Sequence, residues 1–245
     1  MSTAVEDLET EFSRIIGRET AAAQLDLIDV WPLLDTRDLD AAFPAYATAA
    51  QLVARDHEGA MIAAADQYLA ELRDLAGVDD LGALARSLDI SIEELLERLF
   101  QAGPAAIKSA LAAGWSLERA VELALVESLG TMQKWLADLA RARTFEHLQA
   151  EYNAGRTARW ARFSISKRPC PWCRMMISRG PVYFNEQTAS FKAHKHCRCL
   201  ARVIYQGTPL QRDREAEYLA EWESSGKDLN AMRRADYAAA KAAEG

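Results

Sequence analysis

Hydrophobic residues recur at the three-to-four-residue spacing of amphipathic helices along most of the first 155 residues. In residues 5–29 one such stripe is formed by Leu8, Phe12, Ile15 and Ile16. A second helix is predicted to begin at Pro44, a residue favoured in a first helical turn, and to run to Ala76, where Gly77 ends it. This pattern predicts a helical N-terminal region.

Local capping signals divide the rest of this region. Ser91 and the glutamate three residues later form a capping box that starts a short helix, and Gly103-Pro104 is predicted to end it. Ser116 is predicted to cap the longest helix, roughly residues 117–154, which Gly130 is expected to soften or break. His57 and His147 both fall on positions expected to be polar helix faces, so neither is assigned a role.

The helical spacing of hydrophobic residues ends after Gly155. Two short runs, Val182–Phe184 and Leu200–Tyr205, have β-type composition and lie between glycine and proline turn signals. Charged helical sequence returns after Pro209 and predicts two further helices, over residues 211–223 and 228–243.

These elements predict a mainly α protein in which a helical N-terminal region precedes a small α+β module stapled by zinc and a helical C-terminal tail. The expected boundaries place a helical region for assembly and partner binding at residues 1–155. A cysteine- and histidine-containing module follows at residues 156–207, and a charged tail at residues 208–245.

The composition favours helices and argues against a membrane span. Half of the 245 residues are apolar and only 8% are aromatic, with alanine abundant, which favours helices. No apolar run approaches the eighteen or so residues of a membrane span, and the acidic N-terminus has no apolar segment behind it. We therefore expect no membrane association and a reducing compartment, where cysteines bind metals or do redox chemistry rather than form structural disulfides.

Charge is distributed unevenly along the chain. Residues 156–204 contain eleven Lys or Arg and one acid, Glu186, whereas the remaining residues contain 18 basic and 35 acidic ones. Either the two parts neutralise each other within one molecule, or the basic block meets an acidic partner such as nucleic acid.

All four cysteines and two of the four histidines lie in one stretch of thirty residues. Two thiols three residues apart, followed about twenty residues later by further soft ligands, suit a zinc ion with four nitrogen or sulfur ligands. Six candidates exceed four positions. The predicted ligands are Cys170 and Cys173 with two of His194, Cys197 and Cys199, and His196 is held in reserve.

Three other uses of the cluster were considered. A thioredoxin-like site requires a βαβ context, which the sequence before Cys170 does not supply. A zinc deaminase requires an upstream His-x-Glu, and neither His57 nor His147 is followed by glutamate at that spacing. A metal-dependent nuclease is favoured by the basic block, but Glu186 is the only acidic residue near the cluster.

At these residues the chain resembles the phage Mu F-like (MuF-like) minor head proteins, in the form found in actinobacterial phages. Their pattern of Cys-x-x-Cys followed by His-x-x-Cys-x-Cys is matched by Cys170 to Cys173 and by His194 to Cys199. Similar surroundings extend the match over roughly residues 150–205, including Asn153–Arg156, Ser178–Tyr183 and Ser190–His194.

The resemblance implies a virion component present in few copies, without catalytic activity, that is associated with the portal and used in head morphogenesis. A structural zinc would then staple the small module. The implied partners are the portal protein, the major capsid or scaffold protein and possibly packaged DNA, with the chain in the phage head interior, or in the host cytoplasm during assembly. The alternative is a zinc-dependent nucleic-acid-binding or nuclease module. Trp160, Phe163 and Trp172 are candidates either for interface anchors or for core packing.

Overall fold

The structure is a computed structural model that describes residues 2–79, 82, 90–183, 191–206 and 213–243. Within these residues it is mainly helical with one small antiparallel sheet, which confirms the predicted fold class. The elements, in chain order, are α1 (Ser2–Val30), a 3-10 turn (Trp31–Leu33), α2 (Leu39–Ala76), α3 (Ile92–Phe100), a π-helical segment (Gln101–Ala105), α4 (Ala106–Ala112), α5 (Leu117–Asn153), β1 (Ala158–Phe163), α6 (Pro171–Ile177), β2 (Leu200–Tyr205), α7 (Asp213–Ser224) and α8 (Leu229–Ala243).

Helix α2 begins five residues earlier than predicted. Its N-cap is Asp38, whose carboxylate accepts a hydrogen bond from the Ala41 amide at 3.1 Å, so Pro44 lies inside the helix. Proline is tolerated there because a single backbone hydrogen bond near the helix start is lost, while the aspartate supplies the cap. The predicted end is confirmed: Gly77 has φ of +64°, and the Val78 amide bonds the Arg73 carbonyl in a Schellman motif.

The prediction that Gly103-Pro104 ends the short helix is wrong. The backbone instead widens into the π-helical segment and continues into α4. A π turn changes the hydrogen-bond spacing locally, which accommodates the amide hydrogen that Pro104 lacks.

Helix α5 is capped as predicted, because Ser116 Oγ accepts from the Arg119 amide at 3.3 Å. It runs through Gly130 without a break, so the prediction that the helix breaks there is wrong. The glycine instead makes room for a neighbour: a Cβ at Gly130 would lie 2.4 Å from Nε2 of His196. The missing side chain therefore allows the cysteine-bearing segment to approach α5.

Strand β2 forms over the predicted residues and pairs antiparallel with β1, with Trp160 opposite Val203. The sequence analysis did not predict β1. The run predicted at Val182–Phe184 forms only an isolated bridge, in which the Trp160 amide donates to the Tyr183 carbonyl at 2.8 Å, and Phe184 lies outside the described residues.

The sheet shares one hydrophobic core with the helices. Trp160 is fully buried and packs edge-on against Phe145 of α5, at 5.1 Å between ring centroids. Phe163 packs on Tyr68 of α2. Core packing is therefore the correct interpretation of Trp160 and Phe163, and the interface-anchor interpretation is wrong for both. The proposed segment boundaries at residues 155 and 207 stay predictions.

A buried polar network joins α2, α5 and β2. Arg73 Nε donates to Glu151 Oε1 at 2.7 Å, and the Tyr205 hydroxyl donates to the same carboxylate oxygen at 2.9 Å. Arg73 also donates to Nδ1 of His147 at 3.0 Å, so Nε2 of that ring carries the hydrogen and faces Asp66 Oδ1 at 2.8 Å. His147 is thus buried at a helix interface, and its placement on a polar face was wrong.

His57 was also predicted to be solvated, but it lies between α1 and α2. Its ring nitrogens contact Glu19 and Asp26 of α1 at 3.3 and 3.0 Å. Burial alone would lower its pKa, but hydrogen bonds from the ring to Asp26 and Glu19 outweigh burial and raise it.

The C-terminal helices pack on the module. Arg174 of α6 is buried, and its guanidinium contacts Glu221 of α7 at 2.7 Å and Asp236 of α8 at 2.9 Å. None of the described helices combines the length and the apolar character needed to cross a membrane.

The two helix-interface histidines should give opposite pH dependences of stability. Burial and the neighbouring Arg73 lower the pKa of His147 below its ordinary value of 6.5. The unfolded chain therefore takes up a proton at His147 that the folded chain refuses, and stability falls as pH drops below that value. At His57 the pKa is raised, so its contribution is complete below pH 6.5 and is lost as pH rises through the folded value.

We expect His147→Gln to remove the loss of folding stability at low pH and His57→Gln to make that loss steeper. The measurement is the free energy of unfolding in urea between about pH 5 and about pH 8. Because each variant is compared with the parent chain at the same pH, pH effects arising at the cysteines cancel. Parallel stability–pH curves for the two variants would contradict the assigned environments.

Candidate metal centre

The first cysteine pair lies on the first turn of α6. Cys170 is the N-cap, Pro171 occupies the first helical position, and the Cys173 amide donates to Cys170 Sγ at 3.4 Å. This helix start holds both thiols on one side of the chain. Trp172, partly buried, packs against the thiols.

The second group of candidates lies on a turn that leads into β2. The Cys197 amide donates to the His194 carbonyl at 3.2 Å, and His196 has φ of +62°, a left-handed conformation that few non-glycine residues adopt. This conformation places the His196 ring against α5 at Gly130, so the structure puts this reserve ligand outside the thiol cluster.

Three thiols converge. The sulfur atoms of Cys173, Cys197 and Cys199 all lie within 4.8 Å of one another, and each of these residues is no more than 3% exposed. Cys173 Sγ and Cys197 Sγ are 3.6 Å apart, too far for a disulfide bond. Two thiolates on one tetrahedral zinc ion, each bound at about 2.3 Å, would be about 3.8 Å apart. The three cysteines can therefore hold a metal ion.

Cys170 and His194 lie together at the more exposed edge of this cluster. Cys170 packs against the other three cysteines, and its Sγ is 3.1 Å from Nε2 of His194. The other ring nitrogen, Nδ1, donates to the Lys195 carbonyl at 2.8 Å, which fixes the ring orientation. Both residues lie beside the three-thiol group, but neither shares the mutual 4.8 Å spacing of its ligand atoms.

Charge alternates among the thiols when no cation is bound. Hydrogen bonds with Cys173 and then His194 lower the pKa of Cys170 to about 5, although burial opposes this. Cys197 is also shifted down by hydrogen bonds with Cys173 and Cys199, whereas the pKa values of Cys173 and Cys199 are raised. The raised pKa values keep two of the four sulfurs protonated, and all four could ionise together only beside a positive charge such as a metal ion supplies.

Arg162 of β1 supplies part of this positive charge from the protein itself. It is 1% exposed, and its Nη1 lies 3.5 Å from Cys173 Sγ and 4.0 Å from Cys197 Sγ. Nη2 donates to the Lys192 carbonyl at 2.7 Å, and the guanidinium stacks over the Phe191 ring at 3.7 Å from its centroid. Nothing in the sequence marks Arg162 as functional, because Arg159 precedes it in the same short run.

Arg141 fixes the second cysteine group from α5. Its Nη2 donates to the carbonyls of Cys197 and Cys199 at 3.0 and 2.7 Å, while Nη1 contacts Asp138 at 2.5 Å. The guanidinium thus orients the backbone that carries two of the thiols. Nothing in the sequence pattern marks Arg141, because it lies in the middle of a long helix far from the cysteines in the chain.

Much of the basic block is neutralised within the molecule. Five of its eleven cations form salt bridges with carboxylates outside the block, namely Arg156, Arg168, Arg174, Lys195 and Arg202. Arg202, for example, is buried between Glu9 of α1 and Glu215 of α7. Of the two interpretations of the uneven charge, these contacts support internal neutralisation.

A comparison with protein-family models matches residues 2–225 to the family described as VG15 protein. This match covers most of the chain, so the chain belongs to the VG15 protein family, a phage-type family of viral gene products. Searches of curated proteins and of solved structures find no match.

Arg162 should strengthen metal binding by offsetting the charge of the thiolates. We expect Arg162→Met to weaken zinc binding by about 10- to 100-fold, as loss of an outer-shell partner typically does, and Arg162→Lys to recover part of this loss. Competition with a chromophoric chelator measures the affinity. Arg159→Met is the matched control, since Arg159 is an exposed residue on the same strand. Equal zinc affinities for Arg162→Met and the parent chain would contradict this role.

Proposed function

We propose that the chain is a minor head protein of a tailed phage, present in few copies, associated with the portal and active in head morphogenesis. The observation that carries this proposal is the match to a phage-type family over residues 2–225. The similarity of residues 150–205 to MuF-like head proteins supports the finer role. Its partners would be the portal and the major capsid or scaffold protein, and its location the phage head, after assembly in the host cytoplasm.

The metal centre has a structural role in this proposal, and the metal is zinc. Soft, buried thiol donors suit zinc, and three of them are 1–3% exposed. The fourth ligand in this proposal is Cys170, which packs against those three. The segment that carries them has two six-residue strands and one seven-residue helix. So little regular structure gains stability from a bound metal, as small metal-stapled modules generally do.

The same geometry supports a role without catalysis. The thiols face Arg162 and backbone carbonyls held by Arg141, and no carboxylate belongs to the metal-binding group found among the described residues. His147 is held between Arg73 and Asp66, which leaves neither ring nitrogen available to a substrate. A nuclease would need a metal-bound water and a free base at the site.

The alternative is a zinc-dependent nucleic-acid-binding or nuclease module. It has less support, because five of the eleven cations in the basic block already pair with carboxylates. DNA affinity that falls steeply with added salt would favour this alternative, since phosphate contacts release counterions.

Zinc should be present at about one ion per chain in purified protein, measured by elemental analysis. We expect Cys173→Ser and Cys170→Ser to lose the ion and to unfold at lower temperature, because the site contributes folding free energy. His196→Ala should retain zinc, since its ring lies against α5. His194→Ala should retain zinc with reduced affinity. Metal-free protein with an unchanged melting curve would contradict the structural zinc site. Zinc loss in His194→Ala but not in Cys170→Ser would mean that His194, and not Cys170, is the fourth ligand.

The chain should be found in purified virions and proheads by quantitative mass spectrometry. We expect its abundance to be close to that of the portal protein and far below that of the major capsid protein. Absence from both particles would contradict the proposed function, whatever the metal content of the purified chain.

A further inference from the structure

Helices α1 and α2 leave a groove open along one side of their contact. It encloses a volume of about 570 Å³ and is lined by Ala4, Asp7, Leu8, Glu11, Phe12, Ile15, Ala64, Gln67, Tyr68, Glu71, Asp74 and Leu75. We call this surface the α1–α2 groove. None of its lining residues is a cysteine or belongs to the 156–207 module, although Tyr68 also packs on Phe163 of that module.

The floor of the groove is apolar. Phe12 and Tyr68 stack on each other with ring centroids 4.5 Å apart, and both are almost fully buried. Leu8 and Ile15 are partly buried on the α1 side, and Leu75 on the α2 side is 40% exposed. Large apolar side chains are therefore in contact with solvent at this place.

The lining positions follow a heptad spacing on both helices. On α1 they include Ala4, Leu8, Glu11 and Ile15, and on α2 they include Ala64, Tyr68, Glu71 and Leu75. Steps of four, three and four residues are those of a coiled-coil seam. The two helices run antiparallel, because Phe12 packs on Tyr68 whereas Asp26, later in α1, contacts His57, earlier in α2.

Such a pair of seams fits a third helix. From Ala4 to Ile15 the groove extends for about 16 Å, which corresponds to about three helical turns of an occupant. Apolar side chains at the a and d positions of that helix would contact Leu8, Ile15 and Leu75.

The rim determines the charge of the occupant. Four carboxylates line the groove, those of Asp7, Glu11, Glu71 and Asp74, and no lysine or arginine lines it in the described part of the chain. Glu11 pairs with Arg14 at 2.7 Å, but both side chains of that pair are more than half exposed, so the pair screens the rim weakly. An acidic rim around an apolar floor favours a helix with cationic flanks.

We infer that the α1–α2 groove is a docking site for a cationic amphipathic helix of a partner protein, with apolar residues at heptad spacing and lysine or arginine on both flanks. The chain's own α8 contains Arg233, Arg234 and Lys241, but within the chain it is anchored to α6 by Asp236. A second copy contributing α8 is therefore an outcome that the experiment must separate.

The test uses a helix-stabilised synthetic peptide of about fourteen residues, with leucine at heptad positions and lysine on the flanks. Its fluorescence anisotropy is followed as the full-length chain is added. We expect Glu71→Lys with Asp74→Lys to weaken binding by about tenfold, because two attractive contacts become repulsive. Glu97→Lys with Glu122→Lys changes the net charge equally at exposed positions outside the groove and should leave binding unchanged.

Two further measurements complete the design. A peptide with glutamate in place of lysine should bind the Glu71→Lys, Asp74→Lys chain more tightly than the parent chain. Leu75→Gln should weaken the lysine peptide without changing the melting temperature, since Leu75 is 40% exposed.

Equal weakening by both charge-reversed chains would overturn the proposal, because general acidity would then explain the binding. Absence of binding at about millimolar concentration of the full-length chain would overturn it as well. Sedimentation that shows self-association of the parent chain, abolished by the groove substitutions, would replace the partner helix with a second copy.

Discussion

Charged side chains buried along α5 must each meet a partner, and those partners connect the helices to the sheet and to the cysteines. Glu151 is fully buried and accepts hydrogen bonds from Arg73 of α2 and Tyr205 of β2. More than two helical turns before Glu151 on the same helix, the Arg141 guanidinium donates hydrogen bonds to the carbonyls of Cys197 and Cys199. An unpaired buried charge costs several kcal/mol, so these contacts permit few alternative arrangements of the sheet on the helices.

At the thiol cluster the buried charge is negative, and it also needs a partner of opposite charge. Three buried sulfur atoms within 4.8 Å of one another repel when ionised, and the Arg162 guanidinium offsets part of their negative charge. One guanidinium cannot balance several thiolates, whereas a divalent ion together with the guanidinium can nearly do so. Arg162 is therefore a reason to regard the cluster as a metal centre, in addition to the count of cysteines.

Internal pairing changes the meaning of the chain's uneven charge. Cations of the 156–204 block are used to hold α1, α5, α7 and α8 against the module, so a block that is strongly basic in sequence is only partly available to partners. The acidic residues of the helical region are not all used in this way. Those around the α1–α2 groove instead lie beside apolar side chains that are partly exposed.

The sequence by itself was sufficient for most of the helices but not α6, for the caps at Ser91 and Ser116, for the stop at Gly77 and for strand β2. All of these depend on residues within a few positions of each other, where hydrogen-bonding groups and hydrophobic spacing act locally. Even there Pro44 misplaced a helix start, since the cap at Asp38, six residues earlier, outweighed it.

Only the tertiary structure decided the features that depend on distant partners. Strand β1 was not predicted because Arg162 is a charged residue in the sequence. The Arg162 side chain is buried only because the thiols of α6 and of the turn before β2 face it. Gly130 looked like a weak point of α5 until His196, 66 residues later, occupied the space where its side chain would be. His147 became a buried residue because Arg73 and Asp66 of α2 meet both of its nitrogens. The grouping of Cys173, Cys197 and Cys199, apart from His196, has the same origin: sequence spacing shows which ligands are near in the chain, and packing determines which atoms meet.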